Sequence, residues 1–135
     1  MPGLYEKQRV LIIDDEVNVS DTLGLIFTKE GYEARVAHSA EDAIELIAIW
    51  APDLAIIDVI LPGMNGIDFA LVLRANHPGC QLLLFSGAQS TSELLTQAAK
   101  DGNLFDIVAK PLHPTYMLET AALLLSNRPK GMVEH

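Results

Sequence analysis

Residues 10–16 read Val-Leu-Ile-Ile-Asp-Asp-Glu, an unbroken apolar run closed at once by three carboxylates. A continuous apolar run, rather than an alternating one, belongs to a strand covered on both faces, as in a parallel sheet. The same form recurs at Leu54-Ala55-Ile56-Ile57, Leu82-Leu83-Leu84-Phe85 and Ile107-Val108-Ala109, and a weaker strand is predicted over 34–37. Helix-period segments lie between these runs. Val19, Leu23, Ile26 and Phe27 recur at i, i+4, i+7 and i+8, with Gly31 as the C-terminal stop. Ser39 followed by Asp42 predicts a cap opening a second helix through Ala43, Ile44 and Ile47, with Pro52 ending the region. A third helix is predicted over about 67–76, stopping before Pro78. A fourth carries Leu94, Leu95, Ala98 and Ala99 and ends at Gly102; a fifth starts near Pro114 and runs to about residue 127. Strand and helix thus alternate through the chain. That order predicts an α/β fold: an open parallel sheet, helices on both faces, right-handed crossovers.

The 135 residues suit one domain, half hydrophobic and a fifth charged, which excludes a disordered chain. Aromatics are only 6%, so Leu, Ile, Val and Ala must build the core. Nine Lys and Arg against eighteen Asp and Glu give a net charge of −9. Contact with nucleic-acid phosphates or an anionic membrane runs on clustered cations, so neither is expected of this domain. The lone cysteine, Cys80, forms no internal disulfide, which suits a reducing compartment. Residues 1–9 lack the apolar stretch of a signal peptide, and no apolar run approaches a bilayer span, so a cytoplasmic location is expected.

In open α/β sheets, ligands bind at the carboxyl ends of the strands. Asp14, Asp15 and Glu16 follow the first apolar run, Asp58 the third, Ser86-Gly87 the fourth and Lys110-Pro111 the fifth. Their spacings are whole strand–helix periods, which brings all of them to one sheet edge. Crowded carboxylates repel, and a hard divalent cation with oxygen ligands, such as Mg²⁺, resolves the repulsion. A lysine and a hydroxyl facing the same point complete a receptor for a phosphoryl group. A carboxylate oxygen can itself be the nucleophile, and Asp58, alone on a central strand, is the natural choice.

These residues carry a resemblance. Val-Leu-Ile-Ile-Asp-Asp-Glu (10–16), Pro-Asp-Leu-Ala-Ile-Ile-Asp-Val-Ile-Leu-Pro-Gly-Met-Asn-Gly (52–66), Phe-Ser-Gly (85–87) and Ala-Lys-Pro-Leu (109–112) resemble the receiver domain of bacterial two-component response regulators. Singly such motifs are common; four in register are specific. The likeness covers residues 8–127, leaving polar tails at 1–7 and 128–135. It implies a flavodoxin-like (βα)5 sandwich whose five-stranded parallel sheet runs in the order 2-1-3-4-5. It further implies a phosphorelay switch, not an enzyme on other substrates, that takes a phosphoryl group from a phosphohistidine of a sensor kinase or phosphotransfer protein onto Asp58. Asp15 would bind Mg²⁺ (or Mn²⁺) directly, Asp14 through a water, Asp58 itself would be a ligand, and the Ile60 carbonyl another. Lys110 would pair with Asp58 and then the phosphoryl group, Ser86 would report phosphorylation, and the Lys110–Pro111 bond would be cis. An output domain or partner protein would read the change, and a homodimer through the fourth helix, fifth strand and fifth helix is one association the likeness allows. The family usually carries an aromatic three residues before the lysine; here stands Ile107, so coupling is expected through the loop after Ser86, with Phe105 on the same strand face as the alternative.

Blander readings compete. The acidic triplet can serve a helix N-terminus, and Ser86-Gly87 can be an ordinary turn. His38, His77, His113 and His135 read as surface or cap residues, Trp50 and Tyr32 as rim packing, and Cys80 as a small apolar residue near a strand start. The Met64-Asn65-Gly66 turn reads as a loop with Gly66 at a special backbone angle. Ala121, Ala122, Leu123, Leu124 and Leu125 exceed one buried stripe, which means either extra internal burial or a partner-facing patch. A receiver-like interaction module that no longer accepts phosphate is the alternative function. A nucleotide or flavin carrier is disfavoured, because the turn after the first strand is acidic rather than Gly-rich.

Overall fold

The computed structural model describes residues 7–87, 96, 97, 99, 100, 102, 105–110 and 113–126. In chain order come β1 (Arg9–Ile13), α1 (Val17–Lys29), β2 (Glu33–Ala37), α2 (Ala40–Ile47), β3 (Leu54–Asp58), α3 (Gly66–Asn76), β4 (Gln81–Ser86), β5 (Asp106–Ala109) and α4 (Pro114–Ser126). All strand pairs are parallel, in the order β2-β1-β3-β4-β5. Residues 96, 97, 99 and 100 are helical; Leu94, Leu95 and Ala98 of that predicted helix lie outside the described residues, as do Pro111 and the peptide bond expected to be cis.

The unbroken apolar runs have a simple reason. Successive strand side chains point to opposite faces, and here both faces are covered. Leu11, Ile13, Ala55, Ile57, Leu82 and Leu84 pack with Ala40, Ala43, Ile47, Phe69, Ala70 and Leu73 of α2 and α3. Val10, Ile12, Leu54, Ile56, Leu83, Phe85 and Val108 pack with Leu23 and Phe27 of α1 and Met117, Ala121 and Leu125 of α4. At roughly 1.5–3 kcal/mol for each large aliphatic buried, these two layers dominate the fold's stability.

The helix signals are realised as local chemistry. Gly31 takes φ +99° just beyond α1, and the Ser39 side chain accepts from the Asp42 N–H at the start of α2. Asn65, unassigned in the sequence reading, caps α3 by accepting from Asp68 N–H at 2.8 Å. Two expectations need correction. Gly66 has no special angle; the positive φ in this loop belongs to Gly63, at +74°. Gly66 is instead required by space, since a Cβ there would sit 2.8 Å from the Asp58 carbonyl carbon. Trp50 is core rather than rim, only 3% exposed. Its Nε1 donates to Glu33, and the Arg9 and Arg35 guanidiniums lie 5.5 and 4.8 Å from its ring centroid. Burial of an indole is allowed because its one donor is satisfied. His38, on the surface as expected, nonetheless finds an acidic neighbour, Asp21, at 3.6 Å.

Candidate functional site

Parallel pairing sets the carboxyl ends of four strands side by side. Ile13 pairs with Ile57, Asp58 with Phe85 and Ser86 with Ala109, so the residues that close each strand share one edge. Asp14 follows β1, Asp58 ends β3, Ser86 ends β4 and Lys110 follows β5. The Lys110 backbone N–H donates to the Ser86 carbonyl at 3.1 Å, extending the ladder into the site.

Lys110 is the hub. Its Nζ lies 3.1 Å from Asp58 Oδ2 and 3.4 Å from both Asp14 Oδ2 and Glu16 Oε1. Its stem runs past Gly87, where a Cβ would stand 3.1 Å from the lysine's own Cβ. Asp58 is 5% exposed and Asp14 fully buried. Each carboxylate is oriented by the backbone of its own turn: Asp14 Oδ1 accepts from Glu16 N–H at 2.9 Å, and Asp58 Oδ1 accepts from Ile60 N–H at 3.1 Å. A cleft of about 320 Å³ opens above them, lined by Asp15, Glu16, Asp58, Ile60, Gly87 and Lys110.

The electrostatics follow from burial. Desolvation, opposed by the Glu16 N–H, reinforced by the Asp58 charge and opposed again by Lys110, pushes the Asp14 carboxyl from 3.8 up to about 6. Burial pulls the Lys110 ammonium down, but its hydrogen bond to Asp58 and the charges of Asp58 and Asp14 outweigh this and raise its pKa. Three acids around one lysine leave surplus negative charge at a cleft open to water. Carboxylate oxygens of Asp14, Glu16 and Asp58 come within 4.8 Å of one another. An all-oxygen donor set with room for waters fits a hard dication such as Mg²⁺.

The sequence reading assigned the cation to Asp14, Asp15, Asp58 and the Ile60 carbonyl. The structure puts all four residues at this edge, but the carboxylates that converge are those of Asp14, Glu16 and Asp58; Asp15 lines the cleft and is exposed. Glu16 was therefore missed as a site residue. Its only signal was its place as the third acid in a row. It sits at the N-cap of α1 yet makes no side-chain cap hydrogen bond, reaching Lys110 instead.

The family model described as the response regulator receiver domain matches residues 10–122. Among curated proteins, the DNA-binding response regulator MtrA of Mycolicibacterium paratuberculosis is 30% identical over 108 residues, 80% of this chain and 47% of MtrA. This chain spans about half the length of the curated relatives it matches. Among solved structures, a CheY-like response regulator receiver domain from Methanospirillum hungatei superposes with a TM-score of 0.81 at 26% identity, covering 90% of this chain and 95% of that one. The receiver domain of NtrX from Brucella abortus gives 0.76 at 28% identity, covering 87% and 98%.

Proposed function

This chain belongs to the response regulator receiver domain family, a class of phosphorelay signalling switches, and on that premise we propose that Asp58 is its phosphoacceptor. The observation that carries the proposal is the buried Asp58 carboxylate, 3.1 Å from Lys110 Nζ, beside two further acids and beneath an open cleft. In the transfer, an Asp58 oxygen forms a bond to phosphorus as the phosphorus–nitrogen bond of a phosphohistidine breaks. The electron pair stays on the ring nitrogen, and the imidazole leaves neutral because its other nitrogen already carries the proton. Lys110, shared in the resting site by three carboxylates, supplies a cation to the oxygens on which charge develops. Receivers bind Mg²⁺ at an acidic pocket; here Asp14, Asp58 and the Ile60 carbonyl, with Asp15 or Glu16, would hold it. When bound, the cation offsets the repulsion between the incoming phosphoryl group and these acids. Ser86, at the end of the strand beside Asp58, would donate its hydroxyl to the phosphoryl group and so report its presence.

The donor we propose is a sensor histidine kinase or phosphotransfer protein in the cytoplasm, and the recipient of the signal an output domain or partner protein. No described helix is long and apolar enough to cross a membrane. MtrA is named as DNA-binding, but we assign no nucleic-acid contact to this segment, whose charge of −9 opposes phosphate.

The test uses acetyl phosphate, Mg²⁺ and intact-mass measurement. One phosphoryl group per wild-type chain is expected, none on Asp58→Asn, and weaker labelling with weaker metal binding for Asp15→Asn. An unlabelled wild type would favour an interaction module that takes no phosphate, and full labelling of Asp58→Asn at another residue would refute the assignment.

A further inference from the structure

The loop between Asp58 and α3 carries Ile60, whose carbonyl and side chain both belong to the proposed site. Three of its ties are donated by backbone N–H groups: Val59 to the Phe85 carbonyl at 3.1 Å, Gly66 to the Val59 carbonyl at 2.9 Å, and Ile60 to the Asp58 side-chain Oδ1 at 3.1 Å. Leu61 is buried and Met64 packs partly into the core. A further tie comes from elsewhere. Glu41, in the first turn of α2, accepts a hydrogen bond on Oε2 from the Met64 backbone N–H at 3.1 Å. The carboxylate occupies the space that Gly63 leaves open: a Cβ on Gly63 would lie 2.7 Å from the same oxygen. Gly63 also holds the positive φ of this loop, +74°, immediately before the Met64 N–H that makes the bond. The helix presenting Glu41 is itself fixed by the Ser39 cap and by the buried Ala40 and Ala43. An anchored acceptor therefore meets a backbone donor across a side-chain-free notch.

We propose that Glu41 is a positioning residue for the phosphoacceptor site: its carboxylate latches the loop after Asp58 at Met64 and Gly63, and so holds Ile60 where its carbonyl can meet the cation. The inference rests on the phosphoacceptor reading of Asp58 and adds a residue two strands away from it that touches neither substrate nor metal. The latch needs an acceptor at the right reach, not a negative charge. A glutamine supplies one, and an alanine does not.

The experiment compares wild type, Glu41→Gln and Glu41→Ala as full chains. Hydrogen exchange of the Met64 amide, measured by NMR in chelator, reads the latch without metal or phosphate. Mg²⁺ affinity by calorimetry and the rate of labelling by acetyl phosphate read its consequence. Glu41→Ala should lose Met64 protection and bind Mg²⁺ about tenfold more weakly, the scale seen when a group supporting a metal ligand is removed. Glu41→Gln should stay close to wild type in all three, and urea midpoints should show that every variant is folded. Unchanged exchange and affinity in Glu41→Ala would overturn the proposal, as would Glu41→Gln failing equally, since charge alone would then be the cause. A wild type that binds Mg²⁺ and takes label while Glu41→Ala matches it refutes only the latch; a wild type that takes no label refutes the phosphoacceptor reading beneath it.

Discussion

Asp14 keeps a buried carboxylate in a site that has only one lysine to offer it. Its folded pKa of about 6 lies above the ordinary 3.8, so between those values the folded chain holds a proton that the unfolded chain has released. Stability from this group therefore falls as pH rises through that window and stays lower above it. In chelator, Asp14→Asn should be more stable than wild type near neutral pH, and its advantage should shrink as pH falls toward 4. Urea midpoints across that range check it; an advantage independent of pH would contradict the burial argument. Lys110, with a raised pKa, adds stability that is lost only in its own alkaline range, outside this window. At the cleft mouth, Ile60 is 44% exposed and its side chain offers a passing water no hydrogen bond. Loss of the phosphoryl group from Asp58 needs such a water in line with the phosphorus bond. Self-dephosphorylation should accordingly be slow, and Ile60→Asn should hasten it, as decay of acid-labile label would show. Unchanged or slower decay would exclude the idea.

The start of α3 is decided by contact with β3. Gly66 is its first residue, set so close to the Asp58 carbonyl that no Cβ fits. Gly66→Ala must push the helix away from β3, the strand that carries the proposed phosphoacceptor Asp58. A loss on the order of 1–3 kcal/mol is expected from such overpacking, together with slower labelling by acetyl phosphate. Gly31→Ala is the contrast. Its position has φ +99° but nothing within 4 Å, so it should cost stability through backbone strain and leave labelling alone. Denaturant titration and labelling of the two variants separate these effects; a Gly66→Ala chain as stable as wild type would show that the close approach is not tight in solution.

Across the whole molecule, phosphorylation at the proposed acceptor Asp58 would have to change a surface that a partner can read. Ile107 on β5 is 46% exposed and, being β-branched, has no ring to swing between solvent and core. Phe105 packs partly against the cluster beneath α2 and α3, and the Arg74 guanidinium of α3 lies 4.5 Å from its ring centroid. That cation–π contact restrains the one aromatic placed to substitute. Coupling should therefore run chiefly through the loop after Ser86. With beryllofluoride as the phosphoryl mimic, the largest amide shifts are expected over residues 86–92. Comparable shifts across 104–125 that vanish in Phe105→Ala would assign the coupling to the aromatic instead.

Strand positions, the parallel sheet and the gathering of polar residues at the strand ends were legible in the sequence because each is a local property. An apolar run that faces two helical layers needs no polar alternation, and a polar group placed just after such a run lands at the sheet's carboxyl edge wherever the run pairs. Asp14, Asp58, Ser86 and Lys110 followed from that rule together with the resemblance it led to. What remained hidden depends on side-chain direction within turns and on contacts between distant segments. Glu16, not Asp15, joins the carboxylate cluster because the Asp14 side chain folds the turn back onto the Glu16 N–H. Trp50, in the loop after α2, can be buried because Glu33 of β2 accepts the hydrogen bond of its indole N–H. Glu41 meets Met64 across 23 residues of chain, through a notch that exists only once α2 and the β3–α3 loop are packed together. Periodicity records which face of an element is dry; only the assembled tertiary structure decides which polar atoms meet across it.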